Sequence, residues 1–334
     1  MNPYADSHRQ HCARKGRNRN MWAFFKRRKC NAGMDIGTTA IKTVALSFES
    51  SGPRIQEILC LQDPGLSSIE KRIQAIPLMA RHLPDRVAVA IPPDRVDIQY
   101  FPLPPLPPDD MIGTVSYQMV RKLDYGVEDA CIDYTVSVPM SQGLNRIVGF
   151  ACRRPDAETL VEQFRRADFH VAAIDVIPMA LMNIYRLSIP EFPLQTVVGI
   201  DIGHKTVNMV IAKEGLLLFS RHFPLEHHPG DLDESSMGVS VSELEYELRR
   251  TVDYCRIHIT SVHVDRVMLS GGGALQPGLA DDLGRASGVP CEILDCFPER
   301  IFRHTTDSRK ALEQIPSPRM AVAAGLALRF GENG

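Results

Sequence analysis

Apolar and polar positions along the chain separate into short runs, alternating or continuous, that read as strands, and longer runs of three-to-four spacing that read as helices. The regular pattern begins near Asn31. Residues 33–48 predict a buried strand, a tight glycine turn and a second, alternating strand. Residues 87–91 read as a short buried strand and 95–101 as a half-buried one. The stretch Pro102-Leu103-Pro104-Pro105-Leu106-Pro107-Pro108 excludes both helix and central strand. Asp109 and Asp110 are placed to cap a helix over 111–123. Strands are expected at 132–138 and 146–152, a helix from Pro155 to Ala167, a strand at 171–176 and a helix over 177–187.

The pattern then restarts. Residues 197–203 form an apolar strand ending in Asp-Ile-Gly, with further strands at 207–212 and 216–222. A loop rich in Asp, Ser and Gly covers 226–240, and a helix over 242–257 carries apolar Leu244, Leu248, Val252 and Cys255. A buried strand at 264–269 breaks at Gly271-Gly272-Gly273, a helix is expected over 275–286, and a small-residue helix over 318–330 closes the chain. Residues 1–20 show no periodicity and are expected to be disordered. Met21 precedes Trp22-Ala23-Phe24-Phe25 and four cations, so Met1 and Met21 are both eligible starts. That basic leader reads equally as a solubilising tail and as a contact for a membrane surface.

The restart carries the chemistry. Asp35-Ile36-Gly37-Thr38-Thr39 and Asp201-Ile202-Gly203-His204-Lys205 share one logic: apolar strand, Asp-Ile-Gly, polar residues, alternating strand. A glycine in such a turn lets the backbone approach a phosphate closely. Turn amides and the hydroxyls of Thr38 and Thr39 can donate to phosphate oxygens. Asp35 and Asp201 can hold a Mg²⁺ through its retained waters. Lys42 stands seven residues beyond Asp35, at the end of the second strand. One Asp-x-Gly turn alone is a common hairpin; the pair is far more informative. The third element is strand, Gly271-Gly272-Gly273, helix, which clears side chains where a base or ribose packs and aims helix amides at an anion.

Composition adds limits. With 334 residues, 44% hydrophobic and 23% charged, the chain is long enough for two domains with a sizeable core. Its net charge of −2 conceals a leader of about +8 over residues 1–30 and a mildly acidic body. The body gives no reason to expect nucleic-acid binding, while the leader suits anionic lipid or no partner. Eight cysteines are spread out with no Cys-x-x-Cys, no signal peptide is evident, and no apolar stretch approaches a membrane span. These features together predict reduced thiols in a cytoplasmic protein. His222, His227 and His228 have no further ligand at metal spacing and read as loop histidines, so no transition metal is expected. Asp175 ends a strand beside the expected cleft, where it can orient an attacking water or cap the helix before Pro178. Glu243, Glu245 and Glu247 read as the solvated side of their helix.

The two Asp-Ile-Gly loops, Leu269-Ser270-Gly271-Gly272-Gly273 and the closing run from Arg319 to Leu328 stand in an order that resembles the actin/sugar-kinase superfamily. Within it the chain most resembles the PilM family of type IV pilus assembly, over about residues 21–330. That likeness includes the leader, the run Val87-Ala88-Val89-Ala90-Ile91-Pro92-Pro93 and the exit Ile174-Asp175-Val176-Ile177-Pro178-Met179-Ala180-Leu181. The resemblance implies an α/β fold of the actin-like, ribonuclease H-like duplicated kind, with a 1C subdomain of the FtsA/PilM type. Residues 31–86 with 174–196 would form the first lobe, 87–173 the 1C subdomain, and 197–330 the second lobe, whose closing helix would pack at the lobe interface. It further implies ATP or ADP with Mg²⁺ held by Asp35, Gly37, Thr38, Thr39, Lys42, Asp201, Gly203, Gly271, Gly272 and Gly273.

As partner it implies the N-terminal tail of a PilN-like inner-membrane protein, taken in a groove near Leu103, Leu106, Met111 and Val115. A motor ATPase and a platform protein would be neighbours. The protein would be cytoplasmic, peripheral at a bacterial inner membrane, in a pilus that also serves DNA uptake in some systems. Two departures bear on the nucleotide. Glu226-His227-His228 stand where the family has glycines, and the Ala-Glu-x-x-Lys insert is missing, so subdomain IIB is expected to be reduced. His204 replaces a small polar residue in the second loop. Nucleotide binding is therefore expected to be weakened or lost, and ATPase activity weak or absent. Two alternatives stand beside the scaffold: a sugar-kinase-like phosphotransferase and an FtsA-like division protein.

Overall fold

The computed structural model describes residues 30–62, 68–80, 83–84, 86–225, 239–260 and 262–329. The basic leader, and most of the loop expected at 226–240, lie outside the described residues. The first half opens with a meander, β1 (Cys30–Ile36), β2 (Ile41–Glu49) and β3 (Gly52–Leu61), followed by α1 (Ile69–Met79) and β4 (Arg86–Ala90). The chain then departs to build β5 (Asp97–Leu103), α2 (Pro108–Val120), β6 (Ala130–Pro139) and β7 (Asn145–Arg153). It returns through α3 (Arg154–Arg165) to β8 (His170–Asp175). The second half runs α4 (Ile177–Ser188), β9 (Thr196–Ile202), β10 (Thr206–Lys213), β11 (Leu216–Pro224), α5 (Val241–His258) and β12 (Arg266–Gly271). It ends with α6 (Leu279–Ser287), β13 (Cys291–Ile293), α7 (Thr306–Gln314) and α8 (Ala321–Leu328).

Two sheets share one topology. The first is ordered β3-β2-β1-β4-β8 and the second β11-β10-β9-β12-β13. In each, three strands form an antiparallel meander, and the fourth and fifth pair parallel after a crossover, as parallel pairing requires. The central strand β9 is buried at all seven positions, the pattern of a strand covered on both faces. Helices α5 and α6 cover one face of the second sheet through Leu244, Leu248, Val252, Cys255, Leu279 and Leu283.

The other face of the first sheet is closed by the helix that ends the second half, and that of the second sheet by the helix that links the two sheets. Helix α4, which follows the first sheet, packs on β10 and β11 of the second; α8, which ends the second half, packs on β1, β2 and β4. The two helices cross in contact. A Cβ on Gly325 of α8 would overlap the Ala180 backbone of α4, so glycine sets the closeness of that crossing. Gly33 of β1 admits the α8 backbone, and its counterpart Gly199 of β9 admits the ring of Tyr185 from α4. The sequence division that gave 174–196 to the first lobe is thus refined: β8 belongs to the first sheet, while α4 spans both lobes.

The insert is narrower than the 87–173 expected. Strands β4 and β8 are rungs of the first sheet, and α3 packs on α1 and β8. The remainder is a three-stranded sheet ordered β5-β7-β6, backed by α2. Two helix starts also differ from expectation. Pro107, with no side-chain bond, caps α2, leaving Asp109 and Asp110 in its first turn, where they oppose the positive helix end. Helix α6 begins only at Leu279, behind Gly278 with φ of 78°.

Candidate functional site

The Asp-Gly turns face each other across the cleft between the sheets. In the first, β1 and β2 are paired in a register that sets Asp35 opposite Lys42, and the Gly37 amide donates to the Ala40 carbonyl at 2.9 Å. In the second, β9 and β10 set Asp201 opposite Asn208, and the Gly203 amide donates to the Thr206 carbonyl at 2.9 Å. The two hairpins therefore agree residue for residue, including the seven-residue step from the aspartate to its partner. Thr38 is exposed at the first tip, Thr39 is half-buried, and Arg72 of α1 donates to the Gly37 carbonyl at 3.1 Å from behind. At the second tip His204 is half-buried and Lys205 exposed, with the Lys205 carbonyl accepting from the Leu225 amide at 2.9 Å.

Chemistry breaks the symmetry. Lys42 Nζ donates to Asp35 Oδ2 at 3.1 Å, with the two side chains only 17% and 11% exposed. Asp201 accepts from Ser270 Oγ at 2.9 Å and from Asn208 Nδ2 at 3.5 Å. Burial pushes the Asp201 carboxyl above the ordinary carboxylate range; Lys42 pulls it back and Asp35 adds to the rise. Burial alone would lower the Lys42 pKa, but Asp35 and Asp201 together outweigh it and the net shift is upward. One lysine from the first lobe thus faces two buried carboxylates, one from each lobe.

The glycine run approaches from the second lobe. Gly271 has φ of 85°, and a Cβ on it would overlap the Ile202 carbonyl. A Cβ on Gly273 would overlap the Ile202 side chain. Two of the three glycines therefore answer to β9 as well as to any ligand, whereas Gly272 is open, with Arg319 Nε 4.0 Å from where a Cβ would stand. A 3-10 turn (Gly273–Leu275) follows in place of the expected helix start. Gln276 after it clamps Val239 through both its amide oxygen and nitrogen.

Asp175 is committed elsewhere. Its Oδ1 accepts from the Val176 amide at 2.8 Å and its Oδ2 pairs with Arg329, tying the end of α8 to β8. Leu103, Met111 and Val115, expected along a partner groove, are instead core of the insert, buried with Met119 and Ile147, and Leu106 is half-buried against them. The apolar face of α2 is spent on its own sheet. His227 and His228 lie outside the described residues. A different groove lies between α3 and β6, lined by Cys131, Arg154, Ala157, Glu158, Val161 and Glu162. Among the described residues β6 pairs with β7 alone. Sequence reading overlooked this groove because its residues alternate between polar and apolar with no motif.

Duplicated sheets of one topology, helices exchanged between lobes and a matched pair of Asp-Gly hairpins across a cleft define an actin-like fold. Residues 226–330 match the family model described as type IV pilus assembly protein PilM, the family that the sequence motifs resemble. The solved "PilM-PilN type IV pilus biogenesis complex" contains a chain of the same fold, with a TM-score of 0.76 at 24% identity over 91% of this chain and 99% of that one. A Bacteroides thetaiotaomicron protein of unknown function with an actin-like ATPase fold aligns with a TM-score of 0.48, at 10% identity over 90% and 96% of the two chains. The cytoplasmic domain of EpsL, from the type II secretion system of Vibrio cholerae, gives 0.45 at 10% identity over 72% and 82%. No curated protein sequence matches the chain.

Proposed function

We propose that the chain is a PilM-type scaffold of type IV pilus assembly that captures the cytoplasmic N-terminal tail of a PilN-like inner-membrane protein. The observation that carries this reading is the pairing of a PilM family-model match in the second lobe with a fold match to a PilM–PilN complex over almost the whole of both chains. In the inserted subdomain, the β6 edge, which no other strand pairs with among the described residues although Arg154 bonds the Ala130 carbonyl, and the facing α3 offer an extended tail main-chain groups along one wall and a partly exposed apolar anchor, Val161, on the other. In this role the protein holds the tail on the cytoplasmic side of the membrane, beside the motor ATPase and platform protein, in a pilus that extends fibres or takes up DNA. No helix among the described residues is long and apolar enough to cross a membrane, in keeping with attachment through a partner.

The reading includes an adenine nucleotide in the cleft. The residues present suit it: a buried lysine, a carboxylate from each lobe, an open Gly272 and a buried guanidinium Nε with no acceptor. A hydrated Mg²⁺ between Asp35 and Asp201 would neutralise phosphate charge. With Asp175 engaged by Arg329, the cleft favours binding over hydrolysis. Fluorescence anisotropy with labelled PilN-like N-terminal peptides tests the scaffold. Saturable binding that V161R abolishes supports it; no binding of any PilN-like tail overturns it, and binding untouched by V161R moves the tail away from this groove.

A further inference from the structure

Arg319 belongs to no motif in the two hairpins, yet it lies on the floor of the cleft. It stands in a 3-10 turn (Ser317–Met320) that leads into α8 and touches β2 of the first lobe and β12 of the second. Its Nε is buried without a hydrogen-bond partner, 4.0 Å from where a Cβ on Gly272 would stand. It also acts electrostatically on the Cys60 thiol of β3, as do Lys42 and Asp35. The guanidinium therefore lies between the glycine run and the first hairpin. Two other arginines have an orphaned Nε, but both have visible occupations. Arg72 donates to the Gly37 carbonyl and Arg146 covers the ring of Tyr100. The Arg319 guanidinium makes no hydrogen bond or ion pair among the described residues.

Buried donors without acceptors are uncommon because the lost hydration is not replaced. A donor of this kind in a cleft marks the place of an acceptor that arrives with a ligand. Charge points the same way. Asp35, Asp201 and Lys42 together carry −1 when both carboxylates are ionised, which repels an anion; Arg319 brings the floor to neutrality. A hydrated divalent cation on the carboxylates then makes it attractive to phosphate.

We propose that Arg319 is a phosphate-binding residue of the cleft, acting with Lys42 on the diphosphate of a bound nucleotide. The planar fork suits two phosphate oxygens at once, which lysine does not match. The proposal rests on the nucleotide reading above, and the test separates the two. Isothermal titration of the full chain with Mg-ADP, Mg-ATP and adenosine is compared for wild type, R319Q and R319K, with thermal midpoints of the ligand-free proteins. The expected result is a loss of about ten- to hundredfold in ADP and ATP affinity for R319Q, from one charge-assisted contact. Adenosine affinity stays unchanged, R319K recovers only part of the loss, and the ligand-free midpoint does not fall. If wild type and R319Q bind ADP equally, Arg319 has no such role and the nucleotide reading stands. If wild type binds no nucleotide, both fall. A lowered ligand-free midpoint with equal losses for adenosine and ADP makes Arg319 a structural residue and overturns the proposal.

Discussion

Replacing Lys42 by methionine probes the centre of the cleft. The side chain keeps its length, while Asp35 and Asp201 lose their shared cation. At 3.1 Å and an effective dielectric of 20, the Lys42–Asp35 attraction is about 5 kcal/mol before desolvation is set against it. Removing one partner of a buried pair leaves the other charge uncompensated, a loss of about 3–5 kcal/mol. Both side chains are slightly exposed, so the lower end, about 3 kcal/mol, is the expectation at pH 7. The deficit depends on pH with a definite sign. The folded-state pKa of Asp201 is raised, so the stability its protonated form contributes is complete below the unfolded-state value and is lost as pH rises through the folded-state value. Lys42 limits that loss in the wild type, and K42M removes the limit. The gap between K42M and wild type therefore widens as pH climbs through the raised range in which Asp201 ionises. The raised pKa of Lys42 itself matters only in the alkaline range, outside this window. Urea unfolding of both proteins from pH 4 to 8 measures the gap. A constant gap, or wild-type stability for K42M at neutral pH, refutes the assignment of Lys42 as counter-charge to both carboxylates.

Other substitutions test the frame around the cleft. G325V drives a side chain into the Ala180 backbone, and separating α4 from α8 is expected to cost about 3 kcal/mol or more in denaturant unfolding, with both lobes losing cooperativity together. Y100F removes the hydroxyl that accepts from the Ser220 amide at 2.8 Å and donates to its carbonyl at 3.0 Å. The expected loss is about 1–3 kcal/mol, with faster hydrogen exchange at the Ser220 amide. S240A deletes the cap that accepts from the Glu243 amide at 3.3 Å and is expected to cost about 1 kcal/mol, seen as fraying of the first turn of α5 by the same exchange measurement.

Legibility in the sequence followed the local rules. Both hairpins were readable because Asp-Ile-Gly ends a continuous apolar run, and the register that joins Asp35 to Lys42 follows from the turn length alone. Strand β3 was not readable. Its buried residues are Ile55, Ile58 and Leu61, three apart, because a bulge at Gln56 shifts the register between Ala45 and Leu46 and Leu61 turns to the opposite face. Helix α1 was hidden by Pro77 inside it, and α7 by its largely polar composition, although Thr305 and Ser308 form a reciprocal cap. Leu103, Met111 and Val115 were recognised as apolar, but which neighbour an apolar face meets is a tertiary fact. Their sheet took them before any partner could. Arg319 opens the closing run that carries the resemblance but had no role in it, and only the position of its turn between β2 and β12 gives its side chain meaning.

The duplication is closer in backbone than in chemistry, and that difference bears on how the molecule works. Gly33 and Gly199, Asp35 and Asp201, and Gly37 and Gly203 correspond, yet the position of Lys42 is held by Asn208 in the second lobe. The cation that a phosphate would meet therefore belongs to the lobe that also carries the insert. The insert in turn is fastened to the other lobe: Tyr100 of β5 is bonded to Ser220 of β11 and stacked on Phe219, and Ser137 of β6 donates to the Leu217 carbonyl at 2.5 Å. In the β10–β11 register Ser220 lies opposite Val210, two residues from the Asn208 that bonds Asp201. Opening of the cleft must then either break the Tyr100–Ser220 bonds or carry the insert along with the second sheet. In the second case the geometry around α3, which packs on α1 and β8 of the first lobe, and the edge of β6 would change with the distance between Asp35 and Asp201. On the proposed reading, a nucleotide in the cleft and a tail in the groove would be coupled through the Tyr100 and Ser137 contacts, and Y100F is expected to loosen that coupling, measured as a smaller effect of Mg-ADP on the affinity for the tail peptide.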